Sequence, residues 1–245
     1  MATKKLLSAI LFDVGDTLIY DEPSFIDTCV EFITVRNIVP DVDAMKQYIL
    51  NKDSELQKNK LEADLYCDDG RIRALWSNYF GALIQAGAPE LSTISKVLGG
   101  EVYDVYNPGK RWGIFPDVFT SLTQLKRLNF QLYVVSDWGS HLDEILRLLD
   151  LDKFFNDFYI STHIKLAKDS PKIYETTLER LSLKPSEVVM IGDSCMRDVV
   201  IPKSVGITSF LINRKQSDSN CNADLIFGDL ATTTTYIIEN YQPVR

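Results

Sequence analysis

The chain has 245 residues, 45% of them hydrophobic and 24% charged, with 12 Gly and 9 Pro. These proportions exclude disordered, collagen-like and disulfide-scaffold classes, and the length allows one large domain or two unequal ones around a sizeable core. Lys and Arg number 26 against 34 Asp and Glu, a net charge of −8, which argues against a nucleic-acid or anionic-membrane binder yet allows a phosphorylated substrate beside a local cation.

The chain opens with Lys4, Lys5 and the apolar run 6–12 (LLSAILF). A basic start before an apolar run is what a secretory leader has, but Asp13 and Asp16 break this one and no small-residue cleavage site follows. The run reads instead as a first β-strand, apolar on both faces. Residues 21–111 show no strand pattern and read as four helices, at 24–37, 41–60, 71–86 and 90–106. Ile72, Leu75, Trp76, Tyr79, Leu83 and Ile84 recur at helical spacing, and Pro89, Gly99-Gly100 and Pro108-Gly109 punctuate the segment. This stretch is expected to form an inserted helical cap, 21–111, on an α/β core made of 1–20 and 112–245. The charged stretch 51–64 reads as a solvated helix face.

Beyond the insertion, short apolar runs at 131–136, 157–161, 187–191, 207–212 and 224–227 alternate with amphipathic segments at 117–129, 140–150, 171–183 and 195–205. Strand–helix alternation of this kind predicts an α/β fold with a doubly wound parallel sheet. Thr232–Thr235 is expected at a helix start. No run approaches the ~18 apolar residues of a membrane span. Cys29, Cys67, Cys195 and Cys221 are far apart without a CxxC pair, so reduced thiols in a cytoplasmic protein are expected.

In an open α/β sheet ligands bind beyond the C-terminal strand ends. Those positions carry Asp13, Gly15 and Asp16 after the first strand, Ser136, Asp137 and Trp138 after the second, and Gly192, Asp193 and Ser194 after the fourth. Each residue alone suits a loop or helix cap. Together they form a carboxylate-rich cleft with one hydroxyl, which needs a cation to offset its charge. Oxygen ligands favour Mg²⁺ over zinc.

The segments LFDVGDTL, LYVVSDWG, KDSPKIY and VVMIGDSCMRDV resemble the four ordered motifs of the haloacid dehalogenase superfamily of hydrolases. The resemblance implies that Asp13 is a nucleophile forming an aspartyl-phosphate, that Ser136 bonds a phosphoryl oxygen, and that Lys168 steadies both, with Lys165 and Lys172 as rivals for the last role. It implies Mg²⁺ held by Asp13, the Gly15 carbonyl, Asp193 and its supporting partner Asp198. Asp169 stands where the family places a proline after the lysine. Asp137 and Trp138 are expected at the substrate. One departure is larger: the acid the family carries two residues after the nucleophile is Gly15 here, with Asp16 one place later. Three explanations stay open. Asp16 substitutes for it, the leaving group needs little acid help, or the protein binds a phosphorylated ligand with little turnover. The resemblance implies a Mg²⁺-dependent phosphohydrolase of a small phosphorylated metabolite, while the acidic charge and the lack of a long apolar run lead us to expect no nucleic-acid or membrane partner. The alternatives are a weakly catalytic phospho-ligand binder and a metal-independent 2-haloacid dehalogenase. His141 and His163 read as surface or capping residues, Trp76, Tyr79 and Phe80 as core of the insertion, and Lys110-Arg111 as an exposed basic pair.

Overall fold

A computed structural model describes residues 4–56, 65–106, 111–215 and 220–244. Part of the charged stretch 51–64, Pro108-Gly109 and Lys110 lie outside these. The chain divides into two compact units, 1–20 with 113–245 and 21–112.

The first unit is α/β. The apolar run 6–12 yields two strands, β1 (Lys5–Leu7) and β2 (Ala9–Phe12), on either side of Ser8, whose amide donates to the Glu187 carbonyl at 2.8 Å. Two three-residue strands, β3 (Ile19–Asp21) and β4 (Trp112–Ile114), pair with each other where the chain leaves and re-enters this unit. They are too short to show a period, which is why no strand is expected there. Then follow α5 (Val118–Arg127), β5 (Leu132–Ser136), α6 (Leu142–Leu148), β6 (Asp157–Ile160), the single turn α7 (Ser161–Ile164), α8 (Lys172–Leu181) and β7 (Val188–Gly192). A wide π-type turn at Cys195–Val200 runs into α9 (Ile201–Ser204), then β8 (Thr208–Ile212), β9 (Leu225–Phe227), α10 (Leu230–Asn240) and β10 (Tyr241–Pro243). The Asp229 carboxylate accepts the Thr232 amide at 2.7 Å, so α10 begins at Leu230 and Thr232–Thr235 lie inside it.

Six strands make a parallel sheet in the order β6-β5-β2-β7-β8-β9, while β1 pairs in parallel with β10 in a separate sheet. Residues 10–12, 134–135 and 188–191 are all buried, as two-sided cover by helices requires. On one face Ala9, Leu11, Val135, Val188 and Met190 pack against Ile173, Tyr174 and Leu178 of α8.

The second unit is helical: α1 (Phe25–Thr34), α2 (Val42–Leu56), α3 (Asp69–Gly87) and α4 (Ser95–Tyr106). Capping sets the boundaries. Ser24 accepts the Asp27 amide to start α1, and Asp68 accepts the Arg71 amide, so α3 begins two residues earlier than periodicity suggests. Pro89–Leu91 form only a single tight turn, delaying α4 to Ser95. The core of this unit contains Ile33, Phe80, Leu83, Ile84, Leu98 and Val102, with Trp76 and Tyr79 partly buried against it.

The cysteines correct one expectation. Cys29 and Cys67 are free and buried, and burial pushes the Cys29 thiol up to about 12. Cys195 and Cys221, 26 residues apart in sequence, are joined in a disulfide across a Cα separation of 5.6 Å. Spacing alone hides this pairing, because the β8 strand between them folds the chain back on itself.

Candidate active site

The strand order places a switch point at β2: the chain proceeds from β2 to β5 and β6 on one side, then to β7, β8 and β9 on the other. At such a point the connections on the two sides diverge and leave a crevice beyond the carboxyl ends of the central strands. Phe12 is in register with Val134 and with Ile191, so the residues following β2, β5 and β7 all emerge there. Asp13 extends the ladder by one step, its amide donating to the Ile191 carbonyl at 2.9 Å. Its side chain thus enters the crevice from a rigid strand end.

The Asp13 carboxylate is held from several sides. Lys168 Nζ donates to Oδ1 at 2.7 Å, Ser136 Oγ lies 3.3 Å from the same oxygen, and Thr17 Oγ1 lies 3.4 Å from Oδ2. Lys168 is 2% exposed and also pairs with the buried Asp198. Burial alone would lower its pKa, but the Asp13 and Asp198 charges outweigh that and hold the ammonium well above its ordinary value. The two rival lysines, Lys165 and Lys172, are exposed. The Lys168 backbone is fixed as well: its amide donates to Asp137 Oδ1 at 2.8 Å, while Arg197 Nε lies 3.7 Å from Asp137 Oδ2. Asp137 therefore faces Lys168 and Arg197. Burial raises its pKa, and the charges of Lys168 and Arg197 oppose the rise.

The loop after β7 supplies the remaining acids. Asp198 Oδ2 accepts the Ser194 amide at 2.9 Å and Asp198 N donates to the Ser194 carbonyl at 2.8 Å, which coils the loop into the wide turn; such turns are frequent at functional sites. The carboxylate lies so close over Gly192 that a Cβ there would sit 2.3 Å from Asp198 Cγ. Only glycine permits this approach. One carboxylate oxygen each from Asp13, Asp193 and Asp198 lie within 4.8 Å of one another, with Asp193 the exposed member. Burial raises Asp198, against the pull of Lys168. Three carboxylates converging on one point are an oxygen donor set that suits a hard divalent cation, so the residues present fit Mg²⁺.

Motif one departs in structure as it does in sequence. Asp16 has a left-handed backbone (φ 52°), its amide donates to the Ile19 carbonyl at 2.8 Å, and its carboxylate pairs with Lys215 Nζ at 3.1 Å. At Gly15 a Cβ would lie 3.1 Å from Cζ3 of Trp138. The half-buried indole thus packs tightly on position 15, and a side chain there would have to push the ring back by a few tenths of an ångström. Trp138 is well anchored: its amide donates to Ser161 Oγ at 3.1 Å, its carbonyl accepts from Thr162 Oγ1 at 3.0 Å, and its indole Nε1 lies 3.3 Å from His141 Nε2. His141 precedes α6, while the exposed His163 touches the Ser140 carbonyl.

Of the expected residues, the structure brings Asp13, Ser136, Lys168, Asp193 and Asp198 together and seats Trp138 over Gly15. Sequence reasoning did not single out Thr17 or Arg197. Thr17 had a signal, a hydroxyl four residues beyond Asp13 in the same polar cluster. Arg197 had none, because its link to Asp137 joins segments sixty residues apart.

Comparison with known proteins bears on this arrangement. Residues 7–206 match the family model for haloacid dehalogenase-like hydrolases. The haloacid dehalogenase-like hydrolase domain-containing protein 3 of Danio rerio is 30% identical over 131 residues, 54% of this chain and 54% of that protein. A glyceraldehyde 3-phosphate phosphatase of Methanopyrus kandleri is 34% identical over 101 residues, 41% of this chain and 43% of that one. The chain therefore spans about half the length of these curated relatives. The solved HAD-hydrolase YfnB of Bacillus subtilis, bound to magnesium, superposes with a TM-score of 0.73 at 20% identity, covering 96% of this chain and all of that one; this likeness concerns the fold.

Proposed function

Because the chain belongs to the haloacid dehalogenase-like hydrolases, we propose that it is a Mg²⁺-dependent phosphohydrolase of a small phosphorylated metabolite. The observation that carries this reading is the cluster in which Asp13, Asp193 and Asp198 approach within 4.8 Å while Lys168 is paired with Asp13 at 2.7 Å. Phosphoryl transfer is largely positioning and charge neutralisation, and this cluster offers both.

An Asp13 carboxylate oxygen attacks phosphorus, the bond to the leaving oxygen breaks, and an aspartyl-phosphate forms. Lys168 keeps the attacking carboxylate oriented, and its charge then follows the transferring group. Ser136, now on Asp13, offers its hydroxyl to a phosphoryl oxygen. Water then attacks the same phosphorus, freeing inorganic phosphate and restoring Asp13. Asp193, Asp198, Asp13 and the Gly15 carbonyl would hold Mg²⁺, which when bound neutralises charge on the phosphoryl oxygens. A metal-independent dehalogenase has no use for so many converging carboxylates. The filled space at Gly15 favours a second reading, a phospho-ligand binder of low turnover.

The test is phosphate release from a broad panel of phosphate compounds with Mg²⁺, comparing wild type with Asp13→Asn and with EDTA. Loss of release in both is expected. Release by the variant at the wild-type rate would overturn the enzymatic reading, and halide release from 2-chloropropionate that persists in EDTA would revive the dehalogenase.

A further inference from the structure

We infer that Trp138, seated on Gly15, restricts this site to phosphate compounds whose leaving group departs without a proton: acyl and aryl phosphates rather than alkyl ones. The inference rests on the phosphohydrolase reading and narrows it.

It follows from an account of the acids around Asp13. Asp13 attacks phosphorus, so it cannot also protonate the oxygen that leaves. Asp198 has one oxygen on Lys168 and the other on the Ser194 amide. Asp137 is turned toward the Lys168 amide and Arg197. Asp193 belongs to the three-carboxylate cluster. The Lys168 ammonium lies between the buried Asp13 and Asp198 carboxylates. Asp16 is fixed in its turn by a left-handed backbone and by the Ile19 carbonyl, and its carboxylate lies on Lys215. At position 15 itself, a Cβ would stand 3.1 Å from the indole, and the Trp138 backbone is kept in place by its amide donating to Ser161 Oγ and its carbonyl accepting from Thr162 Oγ1. Among the described residues of this unit, the room beside Gly15 is thus faced by an apolar ring in place of an acid.

The chemistry then balances only for a stable anion. As the Asp13 oxygen bonds to phosphorus, the electron pair of the breaking P–O bond stays on the leaving oxygen. That oxygen departs as a carboxylate or phenolate, and an alkoxide lacks the stability to do so. Water next adds to phosphorus and expels the Asp13 carboxylate, and both of its hydrogens leave with the inorganic phosphate. A well-placed general acid contributes ~10²–10⁴-fold, most of it for poor leaving groups. Here that factor is forgone.

The experiment measures kcat/KM, which reports the first transfer alone, for para-substituted phenyl phosphates with Mg²⁺. These share a shape and differ in leaving-group acidity; acetyl phosphate and glycerol 3-phosphate extend the range. In wild type kcat/KM should fall steeply with leaving-group basicity, reaching a gap of ~10²-fold or more between acetyl phosphate and glycerol 3-phosphate. The double variant Gly15→Asp/Trp138→Ala, which opens room and installs a carboxyl, should narrow that gap by about tenfold or more, mainly by raising the alkyl phosphate. Wild-type turnover of glycerol 3-phosphate within a few fold of acetyl phosphate overturns the inference and leaves the phosphohydrolase standing. A folded double variant with an unchanged gap removes Trp138 from the explanation. Absence of Asp13-dependent release from every compound overturns both readings. The wild-type slope needs no variant, so a failure of the double variant to fold does not shield the claim.

Discussion

Lys168→Met keeps the length of the side chain and removes its charge. Lys168 is 2% exposed and Asp198 1%, and the ammonium bridges Asp198 and Asp13. Removing one partner of a buried ion pair strands the other charge, at a cost of about 3–5 kcal/mol. For a chain of this size each kcal/mol shifts the midpoint by about 2–4 °C, so a loss of about 10 °C at pH 7 in EDTA is expected. The dependence on pH has a definite sign. In wild type the Lys168 pKa is raised, so its stabilising contribution is complete below the unfolded-state value and is lost only as pH climbs through the folded one. In the variant Asp198, already raised by burial, loses its cation and rises further. The native state then binds more protons than the unfolded chain, and stability falls as pH rises. The gap between variant and wild type should therefore shrink from pH 8 to pH 5.5. Differential scanning calorimetry measures both effects, with Lys172→Met as an exposed control whose cost should stay within about 0.5 kcal/mol. A midpoint loss under about 2 °C, or one that does not shrink on acidification, would refute the account of a charge held in place by its two carboxylates.

Two further outcomes follow from close packing and from the crosslink. Gly192→Ala drives a Cβ to 2.3 Å from the Asp198 carboxyl carbon, and Asp198 is held by Lys168 and the Ser194 amide, so a cost of about 1–3 kcal/mol is expected. Thermal shifts with and without Mg²⁺ should also show a smaller metal-induced gain than in wild type. Cys221→Ser opens the crosslink between residues 26 apart, worth about 3.5 kcal/mol by loop entropy. Its melting point should fall by about 10 °C, dithiothreitol should bring the wild type to the same value, and a wild type indifferent to dithiothreitol would contradict the crosslink.

Much of the architecture is legible because two-sided burial writes itself as unbroken apolar runs. All six strands of the main sheet coincide with such runs, and the polar residues at or just past the ends of three of them supply Asp13, Ser136 and Asp193. What is hidden depends on partners remote in sequence. Ser8 sits inside an otherwise apolar run, and nothing in that run shows that β1 pairs with the distant β10 while β2 joins the main sheet. Cys195 and Cys221 show no motif spacing, because the β8 strand and its connection bring them together. No helix among the described residues is long and apolar enough to cross a membrane.

Gly15 marks the limit of what motif spacing conveys. Read along the chain, the order Gly15-Asp16 could be a displaced acid awaiting a small movement. In three dimensions the two positions have separate fates. Bringing the Asp16 carboxylate inward would break its contact with Lys215 and rebuild a left-handed turn tied to the Ile19 carbonyl. Placing a carboxyl at position 15 would require the indole of Trp138 to retreat. Trp138 in turn lies two residues from Ser136 and one from Asp137, whose side chains reach Asp13 and the Lys168 amide. The glycine and the tryptophan are therefore a matched pair, and recovering an acid at this position calls for changing both together.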